Sequence, residues 1–187
     1  MAKRTIKPGP YIVPMPTVLV GSVVEGRPNF MTAAFCGIAN YQPAVIGCGL
    51  SPTHRTCRGI EEHGTFSINV PSRDQVVITD YCGLVSGDKV DKSTLFETFT
   101  GSLPGAPMIS SFPLTAECRL LQSVPFGQDT LYLAEIVSVH AEEGILTKDQ
   151  VDWHKLHPLL FTFPDAGYWA MGEYVAKAWS VGKQHPR

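Results

Sequence analysis

Residues 43–70 read PAVIGCGLSPTHRTCRGIEEHGTFSINV, and this stretch is the most informative local arrangement in the chain. Its apolar first part, residues 43–50, predicts a buried strand, and residues 65–70 predict another strand that Pro71 ends. Between the two strands, a polar opening at residues 51–53 leads into a short helix with Ile60 as its main apolar anchor. Gly64 follows as the C-terminal stop of that helix.

The residues on either side of this stretch predict more strands and short helices. Residues 18–24 predict a strand, residues 25–29 a turn, and residues 30–38 a returning strand. Further expected elements are strands over 114–124 and 130–140, a helix over 73–82, a short turn or helix over 87–96 and a helical turn near 147–157. Because strands and helices do not alternate, this order favours a β-rich (α+β) fold: an antiparallel Greek-key split β-barrel with short peripheral helices. The length fits a single domain over residues 1–187.

Composition excludes several classes of partner. The formal net charge of −2 gives no broad positive field, so we expect no nucleic-acid partner. No apolar run reaches about 18 residues, and prolines interrupt the N-terminal segment, so we expect neither a leader peptide nor a membrane span. Five cysteines occur singly, without a Cys-x-x-Cys pair, which favours a reducing, cytoplasmic location.

The start of the predicted helix is a candidate anion site. Backbone N–H groups at a helix N-terminus have no partners within the helix, and the helix dipole adds partial positive charge. The hydroxyls of Ser51, Thr53 and Thr56 can add donors, and the Arg55 guanidinium can meet two phosphate oxygens. A terminal phosphate suits this set. The alternative is a helix that Ser51 or Thr53 merely caps, without any ligand.

The histidines raise the question of a metal site. His154 and His157 have a spacing that can place both on one helical face, near Asp152. Pro158 follows directly, and no third soft ligand lies close in sequence. A structural or surface role is therefore favoured, and we expect no metal.

Several segments together resemble the flavin-reductase-like family, which has the FMN-binding split-barrel fold and includes the flavoredoxins. The resemblance covers residues 14–182 and rests on the ordered occurrence of its parts. These parts are PMPTVLVG at 14–21, PNFMTAAF at 28–35, SPTHRT at 51–56, IEE at 60–62, TFSINVP at 65–71, CGLVSG at 82–87, Asp91-Lys92, Tyr168-Trp169 and Gly172-Glu173.

The resemblance implies FMN as the cofactor and a role for each of these segments. The stretch Asn29, Met31, Thr32, Ala33 and Ala34 is expected to pass along the edge of the isoalloxazine ring, with small residues permitting close approach. The phosphate is expected at the helix start, where Ser51, Arg55 and Thr56 would hold it and His54 would assist.

The remaining residues implied by the resemblance lie later in the chain. Lys92 is expected near the cofactor, where its charge stabilises the negative charge of reduced flavin; its alternative is a solvated surface lysine. Cys82 and Ser86 are expected to shape the same pocket. Tyr168 and Trp169 are expected to cover the ring. Because family members are typically homodimers, these two side chains can come from the neighbouring subunit. The simpler alternative is aromatic packing in the core.

One departure bears on the activity. Family members that use NAD(P)H to make free reduced flavin commonly carry a Gly-Asp-His-Thr-like run, whereas this chain has Gly127-Gln128-Asp129-Thr130. The expected function is therefore an FMN-binding redox protein, a flavin-dependent oxidoreductase that takes electrons from NADH, NADPH or a redox protein and delivers them to a small acceptor or partner protein. No side chain is assigned as a catalytic acid or base. Alternatives are an NAD(P)H:flavin oxidoreductase that releases reduced flavin, a ferric reductase, and a non-enzymatic ligand-binding or sensor module.

Overall fold

The computed structural model describes residues 1–186. The strands are β1 (Met15–Pro16), β2 (Val18–Val24), β3 (Arg27–Ala33), β4 (Cys36–Asn40), β5 (Val45–Leu50), β6 (Thr65–Val70), β7 (Thr98–Phe99), β8 (Met108–Ile109), β9 (Leu114–Phe126), β10 (Asp129–Ala141), β11 (Leu146–Thr147), β12 (Gln150–Val151), β13 (Leu159–Thr162) and β14 (Gly167–Ala170). The α-helices are α1 (Arg55–His63), α2 (Val76–Leu84) and α3 (Trp153–Leu156). The predicted β-rich α+β fold with short helices is confirmed.

A seven-stranded antiparallel sheet in the order β3-β2-β6-β9-β10-β5-β4 forms the body of the molecule. Side chains from all seven strands pack into one apolar core, so the sheet curls around that core as a split barrel requires. The members include Val20, Met31, Cys48, Phe66, Cys118 and Tyr132, with Cys36 packed against them. The helix α1 closes one end of the core through Cys57 and Ile60.

The hairpin of β2 and β3 is tighter than the sequence indicates. Its turn is Glu25-Gly26, and both residues have positive φ (51° and 74°), as a two-residue hairpin turn of the primed type requires. The expected turn over 25–29 is thus too long, because Pro28 lies within β3. Proline is tolerated there since β3 is an edge strand of the sheet.

The expected strand over residues 30–38 is two strands. The chain bends at Ala34 and Phe35, where the Cys36 N–H donates to the Ala34 carbonyl at 2.8 Å. This break carries the chain from β3 at one edge of the sheet to β4 at the other edge. A continuous strand cannot do this, so the bend is needed for the sheet to curl.

The helix after β5 begins and ends as predicted, with Gly64 in the left-handed conformation at φ 62°. The expected helix over 73–82 is a 3₁₀ turn, Arg73–Gln75, followed by α2, which runs on to Leu84. The expected helical turn near 147–157 is limited to α3, because residues 146–151 form the small hairpin of β11 and β12. Residues 87–96 form turns.

A second sheet, in the order β1-β13-β14, was missed by the sequence analysis. It places Tyr168 and Trp169 on β14, opposite Phe161 and Leu160 of β13. Two contacts join the 3₁₀ turn before α2 to the chain before β13. Ser72 forms an isolated β-bridge with Pro158, and the Arg73 N–H donates to the His157 carbonyl at 2.8 Å. The second sheet thus lies on the α2 side of the main sheet.

Candidate functional site

A cavity of about 270 Å³ opens between the start of α1, the strand β3 and the end of α2. A second cavity of about 400 Å³ adjoins it and shares Asn29, Arg55, Gly87 and Lys92 as lining residues. Volumes of a few hundred Å³ are typical of small-molecule and cofactor sites. The predicted residues that line the first cavity are Asn29, Met31, Thr32, His54, Arg55, Thr56, Cys82, Ser86 and Lys92.

The N-terminus of α1 faces this cavity without a side-chain cap. His54 is the N-cap residue, in an extended conformation, and within the described chain its side chain makes no capping hydrogen bond. The hydroxyls of Ser51 and Thr53 bond each other at 2.9 Å instead of the first turn. The simple capped helix considered from the sequence does not form, so backbone donors and dipole charge remain available beside Thr53 and Thr56.

Close packing fixes the position of that helix end. The Asn29 amide donates to the Thr56 hydroxyl at 2.8 Å, and the Ser22 hydroxyl donates to the Thr56 carbonyl at 2.7 Å. Gly59 lets α1 approach β2, because a Cβ there would lie 2.2 Å from the Val23 carbonyl oxygen. Since these contacts are buried, the helix start is held rigidly against β2 and β3.

Arg55 lies at the rim of the cavity between two carboxylates. Its Nη2 is 2.7 Å from Glu25 Oε2, and its Nη1 is 3.5 Å from Asp88 Oδ1. The hydrogen bond with Glu25 raises the pKa of Arg55 above its ordinary value. The cation is therefore held in place before any anion arrives. Neither acidic partner has a local sequence signal, because both are distant in the chain.

Lys92 is a buried cation, with 3% of its surface exposed, and not the solvated lysine of the alternative interpretation. Its Nζ donates to the Cys82 carbonyl at 2.7 Å and to the Phe30 carbonyl at 3.0 Å. Burial lowers the pKa of Lys92. The lysine links α2 to β3 and brings positive charge to the wall shared by both cavities.

The segment that follows Cys82 forms the opposite wall. Burial raises the pKa of the Cys82 thiol to about 11, although the nearby Lys92 charge opposes this rise. Gly87 has no room for a side chain, since a Cβ would lie 2.3 Å from Asn29 Oδ1 and 3.0 Å from Arg55 Cδ. The residues of this wall that the site prediction omitted are Gly83, Leu84, Val85 and Gly87; Thr53, which was predicted as a donor of the anion site, lies across from them. All five fall in segments that carried the family resemblance.

Other predicted residues lie outside the cavity lining. Ala33 is buried in the core of the sheet, Ala34 lies at the bend after β3, and Ser51 is half-buried beside Thr53. The Tyr168 hydroxyl donates to Asp80 on α2 at 2.8 Å, and the exposed Trp169 indole donates to Thr162 at 2.8 Å. Within this chain Tyr168 contacts the helix that leads to the cavity, and neither aromatic side chain lines the cavity itself.

The curled antiparallel sheet is that of a split-barrel-like α+β protein, and the cavity at its open helix start has the backbone donors and positive charge that suit a phosphate-bearing ligand. The chain belongs to the flavin reductase like domain family, whose model matches residues 11–167. The resemblance inferred from the sequence is therefore confirmed.

Solved structures agree with this assignment along nearly the whole chain. The flavoredoxin of Methanosarcina acetivorans is 42% identical, with a TM-score of 0.95 and coverage of 98% of this chain and 98% of that one. The flavoredoxin of Desulfovibrio vulgaris (Miyazaki F) is 34% identical, with a TM-score of 0.90 and coverage of 97% and 100%. Among curated proteins, the FMN reductase (NADH) RutF of Pseudomonas syringae is 27% identical over 124 residues, 64% of this chain and 65% of that protein.

Across residues 1–186, no group of three or more His, Cys, Asp and Glu side chains is arranged to hold a metal ion. His154 lies on α3 and His157 follows as its left-handed C-cap, with φ 47°. None of the helices in the described part of the chain has the length and apolar character of a membrane span.

Proposed function

We propose that this chain is a single-domain FMN-binding redox protein of the flavoredoxin type. The observation that carries this proposal is the meeting of an uncapped helix start, Arg55 and Lys92 at one cavity. FMN is an anion with a terminal phosphate and a flat ring, and its site needs positive charge at one end and side-chain-free space at the other. Gly83 and Gly87 put no side chain of their own into the cavity wall and let it pack closely against Thr32 and Asn29.

The phosphate is assigned to the start of α1. The free first-turn N–H groups, the Thr53 hydroxyl and the Arg55 guanidinium are the donors available there. Arg55 exchanges part of its contact with Glu25 or Asp88 for the phosphate, which keeps the guanidinium paired throughout. The exposed His54 lines the same end of the cavity and adds a further polar contact.

The ring is assigned to the wall formed by Asn29, Met31, Thr32 and the residues after Cys82. Bound FMN supplies electron transfer, and this chain's residues position it, exclude water and set the local charge. The fixed charge of Lys92 favours whichever state of the ligand carries more negative charge. This assignment needs no side chain that acts as a general acid or base.

A second candidate is an NAD(P)H-dependent flavin oxidoreductase that releases reduced flavin. The similarity to RutF, whose name specifies NADH, favours this candidate. One residue argues against the reductase: Asp129 stands where the family's reductases commonly have histidine. Asp129 lies at the β9–β10 turn, outside the lining of the two cavities. We therefore place a redox protein or nicotinamide nucleotide as electron donor and a small acceptor or redox protein as electron acceptor, with ferric reduction as one such acceptor reaction.

We also propose that the protein is a homodimer of the reducing cytoplasm. The C-terminal segment extends from the second sheet and exposes apolar side chains, among them Tyr174 at 67%, Val175 at 93% and Trp179 at 98%. Apolar surface of this kind marks interaction sites, and a second copy of the chain would cover it. Light scattering on the full chain, and on a chain ending at residue 170, tests this: the full chain should have twice the mass of its monomer.

The deciding experiment is an absorbance spectrum of the purified protein before and after anaerobic addition of NADH or NADPH. A flavin spectrum that NADH and NADPH bleach only slowly, but that a reduced ferredoxin or flavodoxin bleaches quickly, supports the electron carrier. Rapid bleaching by a nicotinamide nucleotide supports the reductase. A colourless protein that takes up no FMN from excess contradicts both and leaves the sensor or ligand-binding module.

A further inference from the structure

Two cysteines face each other on neighbouring strands. Cys36 on β4 lies directly opposite Cys48 on β5 in the antiparallel register. The Gly49 N–H donates to the Phe35 carbonyl at 2.8 Å, so residues 35 and 49 form a hydrogen-bonded pair. The next pair, Cys36 and Cys48, is therefore a non-hydrogen-bonded pair, in which the side chains stand closest on one face of the sheet.

This geometry matches the needs of a disulfide. The Cα atoms of a non-hydrogen-bonded antiparallel pair are about 4.5 Å apart, which is within the range of about 4.4–6.8 Å that a disulfide spans. A bond between these two residues therefore requires side-chain rotation and little movement of the backbone. The two side chains also share one environment, since Cys36 packs against the core cluster that contains Cys48.

The two thiols differ in access and in protonation. Cys36 is half-buried, whereas Cys48 is fully buried. A hydrogen bond with the Cys36 thiol, together with burial, raises the pKa of Cys48 well above its ordinary value. Cys36 is therefore the thiol that a reagent in solution reaches first, and Cys48 lies directly beside it on the next strand.

We propose that Cys36 and Cys48 form a reversible oxidation site that a hydroperoxide closes into a disulfide across β4 and β5. The Cys36 sulfur attacks one peroxide oxygen, the O–O bond breaks, and the product is a sulfenic acid at Cys36 together with water when the peroxide is H₂O₂. The Cys48 sulfur then displaces the hydroxyl group, which leaves as water with the Cys48 proton, and the S–S bond forms. In total, two thiols lose two electrons and two protons, and one H₂O₂ becomes two waters. A dithiol reductant reverses the reaction by thiol–disulfide exchange.

The test is thiol counting on the intact protein after a short treatment with H₂O₂. The wild-type protein should lose two of its five thiols and regain both on treatment with dithiothreitol. Chymotrypsin cleaves after Tyr41, which lies between the two cysteines, so mass spectrometry should find the residue 36 and residue 48 peptides linked. A link from Cys36 to Cys118, or no link with all five thiols retained, overturns the proposal.

Two variants separate the steps. In Cys48→Ala, the sulfenic acid at Cys36 has no partner thiol and should be trapped by dimedone, with no disulfide formed. Cys118→Ala is the matched control, because Cys118 is buried in the same core on β9, and it should still lose two thiols. Failure of either variant to fold is detected by circular dichroism, and the wild-type peptide map then decides alone. None of these measurements depends on bound flavin.

Discussion

The guanidinium of Arg55 is 2.7 Å from the carboxylate of Glu25, a residue of the β2–β3 turn. This ion pair spans the rim of the cavity and connects the start of α1 to the hairpin. Arg58, one turn later in α1, binds Asp88 through two bonds of 2.9 Å, and Asp88 also approaches Arg55. The rim thus holds these two arginines and two carboxylates, and of the two arginines Arg55 lines the cavity at the helix start whereas Arg58 does not.

Arg55→Ala should weaken FMN binding by about 1.5–3 kcal/mol, the range for hydrogen bonds to charged groups. Fluorescence titration of apoprotein with FMN measures this. Arg58→Ala is the control, because Arg58 also binds Asp88 but lies outside the cavity lining. The FMN affinity of this variant should equal that of the wild type. Equal affinity in Arg55→Ala and wild type would show that the phosphate lies elsewhere.

Glu25→Gln should strengthen FMN binding, by up to about fivefold. The carboxylate competes with the phosphate for Arg55, but it is largely exposed, at 74%, so the competition is worth no more than about 1 kcal/mol. The gain should disappear in the Glu25→Gln/Arg55→Ala double variant. The same titration at high salt should reduce the effect, and a gain that persists without Arg55 contradicts this account.

Gly87→Ala should lower FMN affinity while leaving the fold intact. The added Cβ would lie 2.3 Å from Asn29 Oδ1 and 3.0 Å from Arg55 Cδ, so both side chains must shift. Overpacking of this kind costs on the order of 1–3 kcal/mol of stability, and we expect FMN affinity to fall because Asn29 and Arg55 are displaced from the site. Gly144→Ala is the control, because a Cβ there meets nothing within 4 Å. If both variants bind FMN like the wild type, Gly87 has no part in the site.

Lys92→Met should make the midpoint potential of bound FMN more negative. The buried cation stabilises reduced FMN, which carries more negative charge than oxidised FMN, and its removal takes this stabilisation away. A loss of about 1.4 kcal/mol of that stabilisation corresponds to about 30 mV for a two-electron couple. Redox titration measures the shift. The exposed Lys89, in the same loop, provides the control variant Lys89→Met, which should shift the potential much less. Similar shifts in both would show that only net charge matters.

Tyr168→Phe should reduce the loss of stability at alkaline pH. Burial and the hydrogen bond with Asp80 raise the pKa of Tyr168 to about 12, from an ordinary value of 10.0. The unfolded chain therefore releases this proton first, so the stabilisation is complete below pH 10 and is lost as the pH rises towards 12. Denaturant unfolding at several pH values should show the wild type losing its advantage over the variant in that window. A constant difference contradicts the raised pKa.

Local patterns in the sequence were sufficient for many elements, whereas the segments of the site were predicted from the order of motifs that one family shares. The helix after β5 was predictable because a polar start, an apolar anchor and a glycine stop act within ten residues of one another. The two cavity walls were predictable in outline because Asn29–Thr32, His54–Thr56 and Cys82–Ser86 are short segments whose order matches one family. Ala33 was misleading in part, since a small residue in a strand serves the core as well as a ligand.

The antiparallel, strand-rich fold and the candidate anion site at the helix start follow from hydrophobic periodicity and turn residues, which act over short distances. The family follows from the order of short motifs along the chain. Tertiary structure alone decided that Lys92 is buried between two carbonyls, that Glu25 and Asp88 hold Arg55, and that Cys36 stands opposite Cys48. These contacts join residues from 10 to 62 positions apart or depend on strand register. Such contacts arise from the curling of the sheet, which no local pattern encodes.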